Sequence, residues 1–541
     1  MRICAVLSSL AFFVLAPPAL AQCPLAALAP DDPAKLIGLG FSIDTDGATL
    51  VVGAPFEAAP CIGGGECSQG AVYVFEPTPG GGWAQTQRLI AGDATPNEFF
   101  GRAVAVEGDT ILVGAPNKTG SAAVCPFAVY GAVYVYERVD GDWVENQKLV
   151  PICQNGFFGQ SIALDGDRAL VGEPFADVGT TSSAGRAWVL ERTASGWEFG
   201  PALWSTSPFF HAWFGWSVAL EGDVAVVGAY NDVVFPAGTN SGAAYVFRSN
   251  GSAWQAEAQL LPSDGLSNAD FGVSVAIDQG RILVGAPGAQ LSTAPPSAAY
   301  VFEHGSGAWS ETARLSPADP TDEGLFGWTV ALDGDRAAIG AVNAEEQGRV
   351  SVFDLGPTGW TQTAQIAPPA PRPWSQFGNA VAVRGDRLFA GSLGLGSYEF
   401  SVSGSGCPSL FGAPGALTFE DGGVHELRLD AGPAYAGLAY VVLGSITGTA
   451  PGLPFAGFTL PLNPDFYLSF TWLNFNEPPL GDTLGLLDAQ GRAEASFTLS
   501  VPTVDPILTG STLHHAWFAL DLTQPQPIAF VSNAASLALL P

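Results

Sequence analysis

The sequence predicts an all-β protein, with a seven-bladed β-propeller of four-stranded blades followed by a β-sandwich domain. Two observations lead to this prediction: a unit that recurs seven times at constant spacing, and a final stretch of short strands that lacks the unit. The composition agrees. The 67 Gly and 42 Pro among 541 residues oppose a mainly helical fold, and the 47% of hydrophobic residues oppose disorder.

The recurring unit is clearest at residues 158–172 and carries two landmark glycines 13 residues apart. The first landmarks are Gly40, Gly101, Gly159, Gly215, Gly272, Gly327 and Gly378, and the second are Gly53, Gly114, Gly172, Gly228, Gly285, Gly340 and Gly391. Between them lie two alternating β segments joined by a tight turn, of Asp-Gly or Glu-Gly type in five units. A third strand follows, as at 131–136, and then a fourth strand that begins at Trp, as at 143–149.

The last unit lacks a fourth strand of its own, because no Trp-led segment follows its third strand at 397–402. Residues 23–28, ahead of the first unit, resemble the ends of the other outer strands. We therefore expect the N-terminal strand to complete the last blade and close the ring, which would leave few free sheet edges.

The first 21 residues have the pattern of a secretory signal, with Arg2, an apolar core and the small residues of Ala19-Leu20-Ala21. We predict cleavage near Ala21 and export, so that the protein is secreted or lies at the cell surface or in the periplasm. No later segment is apolar over enough residues to span a membrane. The predicted division is a signal peptide at 1–21, a propeller at 22–406 and a C-terminal domain at 407–541.

Six cysteines remain after cleavage and can pair in an oxidising compartment, in any of 15 ways by counting alone. The predicted architecture favours three disulfides, namely Cys23 with Cys407, Cys61 with Cys67, and Cys125 with Cys153. Beyond residue 406 the expected strands lie at 416–419, 424–429, 438–443, 466–470, 493–499, 517–522 and 528–531. Short strands at this spacing favour a β-sandwich, to which we assign no role.

Phe precedes the first landmark glycine in six units, as in Phe100-Gly101, and Gly-Ala-Pro stands at the second landmark in three, as in Gly53-Ala54-Pro55. These motifs resemble the FG-GAP repeats of the integrin α-subunit N-terminal propeller, over roughly residues 23–403. The resemblance implies an exported propeller of bacterial type that binds ligands on the face carrying its interblade loops. Integrin repeats hold calcium in long acidic loops, whereas the turns here are short, so we expect no metal and no other cofactor.

At the mouth of that face we expect the residue after each first landmark glycine, giving Phe41, Arg102, Gln160, Trp216, Val273, Trp328 and Asn379. The segment leading into the fourth unit adds Phe209, Phe210, His211 and Trp213. Aromatic planes beside polar groups suit a glycan, a peptide or a cationic side chain. The alternative is that these aromatic rings only pack between blades.

The charge narrows the possible partners. With 20 basic against 51 acidic residues the net charge is −31, which disfavours nucleic acid and anionic membranes. We predict a non-catalytic recognition or adhesion protein that binds a protein or a glycan. Arg384-Gly385-Asp386 has the sequence of an integrin ligand but is predicted to be an ordinary hairpin turn.

The alternative function is an extracellular carbohydrate-active enzyme, a hydrolase or lyase, with two carboxylates at the mouth. Its candidate acids precede Phe-Gly motifs, where capping of turns is their ordinary role: Asp93, Glu98, Asp264, Asp270, Asp319, Asp322 and Glu323. No Ser/His/Asp arrangement is recognisable. His514 and His515 are adjacent on a predicted strand, so their side chains point to opposite faces and cannot bind one metal ion together.

Overall fold

In the computed structural model the described part of the chain consists mainly of β-strands, with one α-helix, in agreement with the all-β prediction. The structure describes residues 24–28, 30, 38–60, 66–78, 83–119, 130–151, 156–234, 239–265, 269–288, 297–305, 307–317, 324–344, 347–368, 375–393, 396–402, 409–413, 416–418, 423–430, 437–446, 453–455, 458–460, 462, 464, 466–473, 476, 479–488, 492–499, 512–520, 528–531 and 535–540. Of the cysteines in the predicted disulfides, Cys23, Cys61, Cys125, Cys153 and Cys407 lie outside these residues, and the side chain of Cys67 is not described.

Six four-stranded antiparallel sheets are each built from consecutive segments of the chain, and we number them 1 to 6. Sheet 1 consists of β2 (Ser42–Thr45), β3 (Leu50–Ala54), β6 (Ala71–Pro77) and β7 (Trp83–Leu89). Sheet 2 consists of β8 (Ala103–Glu107), β9 (Thr110–Ala115), β10 (Ala132–Val139) and β11 (Asp142–Leu149). Sheet 3 consists of β12 (Ile162–Asp165), β13 (Arg168–Glu173), β14 (Arg186–Thr193) and β15 (Gly196–Leu203).

Sheet 4 consists of β16 (Ser217–Glu221), β17 (Val224–Ala229), β20 (Ala243–Ser249) and β21 (Trp254–Leu260). Sheet 5 consists of β22 (Ser274–Asp278), β23 (Arg281–Ala286), β24 (Ala298–Gly305) and β25 (Ala308–Leu315). Sheet 6 consists of β26 (Phe326–Asp333), β27 (Arg336–Ala341), β28 (Arg349–Gly356) and β29 (Gly359–Ile366). Two short hairpins lie in loops, β4 (Ala58–Pro60) with β5 (Glu66–Ser68) and β18 (Val233–Val234) with β19 (Thr239–Asn240).

Sheet 7 joins the two ends of the repeat region, as the sequence predicts. Its strands are β30 (Val381–Arg384), β31 (Arg387–Ser392), β32 (Gly396–Ser401) and, from the N-terminal side, β1 (Pro24–Leu28). Strand β1 pairs antiparallel with β32. The first strand of each sheet contacts the first strand of the next, and β30 contacts β2. Buried aliphatic and aromatic side chains fill the layers between adjacent sheets.

The landmark glycines are the points at which neighbouring sheets touch. A Cβ atom on any second landmark would lie 1.9–2.2 Å from the carbonyl oxygen of the first landmark glycine in the next sheet. That series includes Gly391 of sheet 7 against Gly40 of sheet 1. In five sheets a Ser or Thr hydroxyl also donates to this oxygen, as in Ser42 Oγ to Gly101 O at 2.9 Å. Only glycine permits so close an approach of two backbones.

The tight turns at the opposite end of the first strands are linked in series by their acidic residues. The carboxylate of one turn accepts a hydrogen bond from the turn glycine of the next, as Asp46 does from the Gly108 amide at 2.9 Å. The other bonds of this kind join Glu107 to Gly166, Asp165 to Gly222, Glu221 to Gly280, Asp278 to Gly334, and Asp333 to Gly385. These carboxylates therefore hold adjacent sheets together.

Residues 384–386 form the hairpin turn between β30 and β31, as the sequence predicts. The Gly385 amide donates to Asp333 Oδ2 at 2.6 Å, and Asp386 Oδ1 lies 3.1 Å from Arg336 Nη1. The glycine and aspartate of this tripeptide are thus engaged by sheet 6.

The C-terminal residues form two main sheets. One contains β33 (Ser409–Ala413), β35 (Gly423–Asp430), β41 (Arg492–Leu499) and β39 (Leu480–Gly481). The other contains β34 (Ala416–Thr418), β44 (Ala535–Leu540), β42 (Thr512–Leu520), β36 (Ala439–Ser445), β40 (Leu484–Leu486) and β43 (Ile528–Val531). Strands β37 (Leu453–Phe455) and β38 (Phe458–Leu460) form a separate two-stranded sheet. Leu427 and Ala495 of the first sheet share a buried cluster with Val442 and Trp517 of the second.

One expected strand of this region is a helix. Residues 466–470 belong to α1 (Phe466–Leu473), so the prediction of a strand there is wrong. Its buried side chains are Tyr467, Leu468 and Thr471, which recur at the helical spacing of three to four residues. A short apolar run does not distinguish a buried strand from a buried helix by periodicity.

Candidate functional site

Each first strand is preceded by a four-residue turn that ends in the residue predicted to line the mouth. In the turn Phe99-Phe100-Gly101-Arg102, the Arg102 amide donates to the Phe99 carbonyl at 3.0 Å. The leading residue of six such turns has a positive φ of 48–64°, although none of them is glycine: Phe99, Phe157, Trp213, Asp270, Leu325 and Gln376. Each of these residues pays a conformational cost that the surrounding sheets must offset. We call these segments the leading turns.

Five aromatic side chains come together where the leading turns of sheets 3 and 4 meet, and we call them the aromatic cluster: Phe157, Phe175, Trp213, Trp216 and Tyr230. Ring centroids are 5.0 Å apart for Phe157 and Phe175, 5.7 Å for Phe175 and Trp213, and 4.9 Å for Trp216 and Tyr230. All five side chains are half-buried, so each keeps part of its ring in contact with solvent. Pairs at these distances stabilise one another beyond the area they bury.

Phe210 and His211 extend the aromatic cluster to the surface. Their rings stack with centroids 3.7 Å apart, and His211 lies 6.4 Å from Trp213. The Phe210 side chain is 55% exposed. Phe209 is half-buried, and its carbonyl accepts a hydrogen bond from the Ala212 amide at 3.2 Å. The structure therefore brings Phe210, His211, Trp213 and Trp216 of the predicted site together.

A second group of predicted residues comes together where the leading turns of sheets 7, 1 and 2 meet. The Arg102 guanidinium lies over the Phe41 ring, 4.4 Å from its centroid. Asn379 Nδ2 donates to the Phe41 carbonyl at 3.0 Å, which ties sheet 7 to sheet 1. Phe41 also contacts Phe56, with centroids 5.4 Å apart. Burial lowers the pKa of Arg102 to about 10, which leaves the side chain cationic at neutral pH.

The remaining predicted residues do not complete an even ring of accessible side chains. Gln160, Val273 and Asn379 are only 8–9% exposed, because neighbouring strands cover them. Trp328 is half-buried on β26 and is not part of the aromatic cluster.

The candidate acids for catalysis have mostly structural partners rather than the turn-capping role expected of them. Asp93 pairs with Lys118 and Lys148, and Glu98 pairs with Lys118. Asp264 accepts a hydrogen bond from the Tyr300 hydroxyl at 2.8 Å and lies 3.2 Å from Arg314.

Asp270 differs from these acids, because no hydrogen bond to its carboxylate is found within the described residues. Burial raises the pKa of Asp270 to about 6. Its charge also contributes to the raised pKa of Tyr230, after burial of that ring. Asp319, Asp322 and Glu323 lie outside the described residues.

The part of the chain that the structure describes contains no group of three or more His, Cys, Asp or Glu side chains placed to hold a metal ion. It also contains no helix that is long and apolar enough to cross a membrane.

The two adjacent histidines of β42 do point to opposite sides, as the sequence predicts. His514 is half-buried, whereas His515 is buried and its Nε2 lies 2.9 Å from the Tyr467 hydroxyl. The His425 ring, from the other C-terminal sheet, has its centroid 5.9 Å from that of His515. Burial, with smaller contributions from His425 and His514, lowers the pKa of His515 from 6.5 to about 3.

We expect acid to destabilise the C-terminal sheets. A lowered folded-state pKa means that the unfolded chain binds a proton more readily, so stability is complete above about pH 6.5 and falls between 6.5 and 3. The slope from His515 is about 1.4 kcal/mol per pH unit. Hydrogen exchange of β42 in the full chain, corrected for intrinsic rates, measures this loss. His515→Phe should flatten the pH dependence, and an unchanged slope in that variant would contradict the assignment to His515.

Several residues of the site were not among the predicted ones, notably Phe56, Phe157, Phe175 and Tyr230. Phe157 leads its turn, and Phe56 and Phe175 both stand three positions after a second landmark glycine. These positions recur with the repeat, but the sequence does not show that packing of neighbouring sheets brings them beside the predicted residues.

Comparison with known proteins agrees with the motifs. The FG-GAP repeat family matches at residues 83–136, 210–247, 254–302 and 309–353. A search of curated proteins finds no match. Among solved structures, the chain is similar to the computationally designed Ika8 protein, with 11% identity, a TM-score of 0.41, and coverage of 70% of this chain and 99% of that one.

Proposed function

Because the chain carries FG-GAP repeats, we propose that it is an exported, non-catalytic recognition or adhesion protein that binds a protein or a glycan at the aromatic cluster. The proposed architecture is a closed seven-bladed propeller at 22–406, with sheets 1 to 7 as its blades, and a β-sandwich at 407–541. The contact of β30 with β2 and the pairing of β1 with β32 support closure. The cluster shared by the two C-terminal sheets supports the sandwich.

The observation that carries the proposed binding role is the incomplete burial of the aromatic cluster. Three of its rings come from sheet 4 and two from sheet 3, so they do pack between sheets, as the alternative interpretation expects. Rings that served packing alone would be buried like Phe158 and Phe214, which are 0% exposed. The half-buried rings, together with the exposed Phe210, form an apolar surface rimmed by polar loops, which is typical of a binding site.

Three of the candidate acids support a structural role over catalysis. Asp93, Glu98 and Asp264 are neutralised by basic partners, whereas a glycosidase requires two carboxylates free to act on the substrate. The proposed ligand site is therefore aromatic and polar. The proposed export rests on the signal-like pattern of residues 1–21 and on the six cysteines that an oxidising compartment would pair.

We expect Trp213→Ala combined with Trp216→Ala to weaken ligand binding at least about tenfold, because buried aromatic anchors dominate binding energies. The measurement is the affinity of the full chain for ligands found on a glycan and protein array, with and without EDTA. Phe199→Ala is the matched control, since this ring is 36% exposed on the outer strand β15 and packs on Phe158 and Trp188 rather than on the aromatic cluster. Unchanged affinity in the double variant would exclude the aromatic cluster as the site, and loss of binding in EDTA would contradict the expected independence from metal.

A further inference from the structure

Arg102 is a cation that has no anionic partner within the described residues of a strongly acidic protein. Its guanidinium makes no hydrogen bond or ion pair with any residue that the structure describes, and its one recorded contact is the Phe41 ring. Many arginines of the sheets meet carboxylates, as Arg88 meets Glu57, Arg186 meets Glu173, and Arg336 meets Asp354. Although the chain has 51 acidic residues, no carboxylate pairs with Arg102 among the residues that the structure describes.

The guanidinium carbon of Arg102 lies over the Phe41 ring, and no N–H of the guanidinium has a hydrogen-bond acceptor among the described residues. A guanidinium presents five N–H donors in one plane, and a ring that covers its face does not use them. The side chain is half-buried, so water reaches it only in part. A planar, partly desolvated donor edge is the geometry that binds a carboxylate through two parallel hydrogen bonds.

The neighbouring first strands add a second unused polar group and an aromatic plane. Strand β12 follows β8 around the sheets and contacts it, and the residue that ends its leading turn is Gln160. The Gln160 side-chain amide makes no hydrogen bond within the described residues. Strand β16 comes next, and Trp216 of the aromatic cluster directly precedes it. In the order of neighbouring first strands, the residues that end the leading turns are therefore Phe41, Arg102, Gln160 and Trp216.

We propose that this run binds an acidic saccharide, with the carboxylate of a hexuronate unit on Arg102 and the apolar face of a sugar ring on Trp216. The proposal rests on the proposed function and names its ligand class. A sugar ring carries an apolar face and a carboxylate in one rigid unit, which suits an aromatic ring beside a guanidinium better than the flexible side chain of an acidic peptide does. The net charge of −31 opposes densely charged ligands, so the fitting ligand carries isolated carboxylates.

The test uses hexuronate-containing oligosaccharides, each paired with its carboxyl-reduced counterpart, titrated calorimetrically into the full chain near 0.15 M salt. We expect the acidic member of a pair to bind at least about tenfold more tightly, since a hydrogen bond to a charged group contributes more than a neutral one. Arg102→Gln should abolish this preference, so that the two members of a pair bind with equal affinity. Arg102→Lys should keep part of the preference for the acidic member, because lysine retains the positive charge but cannot donate two parallel hydrogen bonds from one planar group.

Arg384→Gln is the matched control, because this arginine is exposed at the turn on the opposite end of a first strand. Equal affinities for the two members of each pair, or a preference that survives Arg102→Gln, would overturn the proposal. Arg102-dependent binding of an acidic peptide in place of the saccharides would also overturn it. These results leave the proposed function standing if Trp213→Ala with Trp216→Ala still weakens another ligand. Binding of nothing on the array would reject both.

Discussion

Lys118→Met is expected to lower the free energy of unfolding of the repeat region by about 3–5 kcal/mol, the usual cost of removing one member of a buried ion pair. The Lys118 side chain is 3% exposed and that of Glu98 is 0% exposed. Their Nζ and Oε2 atoms lie 2.5 Å apart. Met has a similar length but no charge, so it would leave the Glu98 carboxylate buried without its cation.

Lys118 also connects two carboxylates and a backbone carbonyl. Its Nζ donates to the Asp93 carbonyl at 2.6 Å and to Asp93 Oδ1 at 3.1 Å. Burial acts to raise the pKa of Asp93, but hydrogen bonds from Lys148, Tyr134 and Lys118 outweigh it and hold that pKa below its ordinary value. The network therefore favours the charged carboxylate, and loss of Lys118 weakens the loop that leads into sheet 2.

Lys148→Met is the matched control, because Lys148 pairs with the same Asp93 at 2.7 Å but has a 28% exposed side chain. Exposed pairs contribute about 1 kcal/mol or less, so this variant should change stability little. Glu98→Gln combined with Lys118→Met should recover part of the loss, since it removes the uncompensated charge. Urea unfolding of the full chain, with hydrogen exchange of β9 and β10, gives the measurement. Equal effects of the two lysine variants would show that burial of the pair is not the cause.

The sequence predicted the order of the strands well because the glycine spacing reflects a steric requirement. Gly53 and Gly101 lie where two adjacent sheets touch and where no side chain fits. Glycine is therefore required at the same place in every unit. The predicted place of β1 in sheet 7 followed from the strand pattern, because the last unit lacks a Trp-led outer strand and residues 23–28 resemble one. By contrast, α1 was predicted as a strand, since tertiary packing and not local pattern decides the form of a short apolar run.

The candidate site was predicted less completely, because its residues depend on contacts between units. Arg102 and Trp216 were predicted because each directly follows a first landmark glycine. Phe175, by contrast, contacts Trp216 only because sheets 3 and 4 pack together. The ion pairs between distant residues could not be predicted from the sequence. Asp93 was considered as a turn cap or a catalytic acid, and nothing in its local sequence shows that Lys118, 25 residues later, is buried against it.

Gly391→Ala is expected to destabilise the repeat region by about 1–3 kcal/mol, the ordinary cost of forcing atoms into a fully packed position. A Cβ at Gly391 would lie 2.0 Å from the Gly40 carbonyl oxygen, and two further Gly40 backbone atoms lie within 3.0 Å. The obstructing atoms are backbone, which cannot rotate away as a side chain can. The first and last sheets of the series would have to separate.

Closure of the ring is tested by comparing the loss of unfolding free energy in Gly391→Ala with the loss at a contact between two sheets in the middle of the series. Gly285→Ala makes the same contact between sheets 5 and 6, with a Cβ 2.0 Å from the Gly327 carbonyl oxygen. In a closed ring every junction is equally constrained, so the two variants should lose similar free energy. In an open array the ends are free to move apart, and Gly391→Ala would cost much less. Gly305→Ala is the control, because no atom lies within 4 Å of its added Cβ. Urea unfolding of the three variants therefore reports whether sheet 7 is held against sheet 1 in solution.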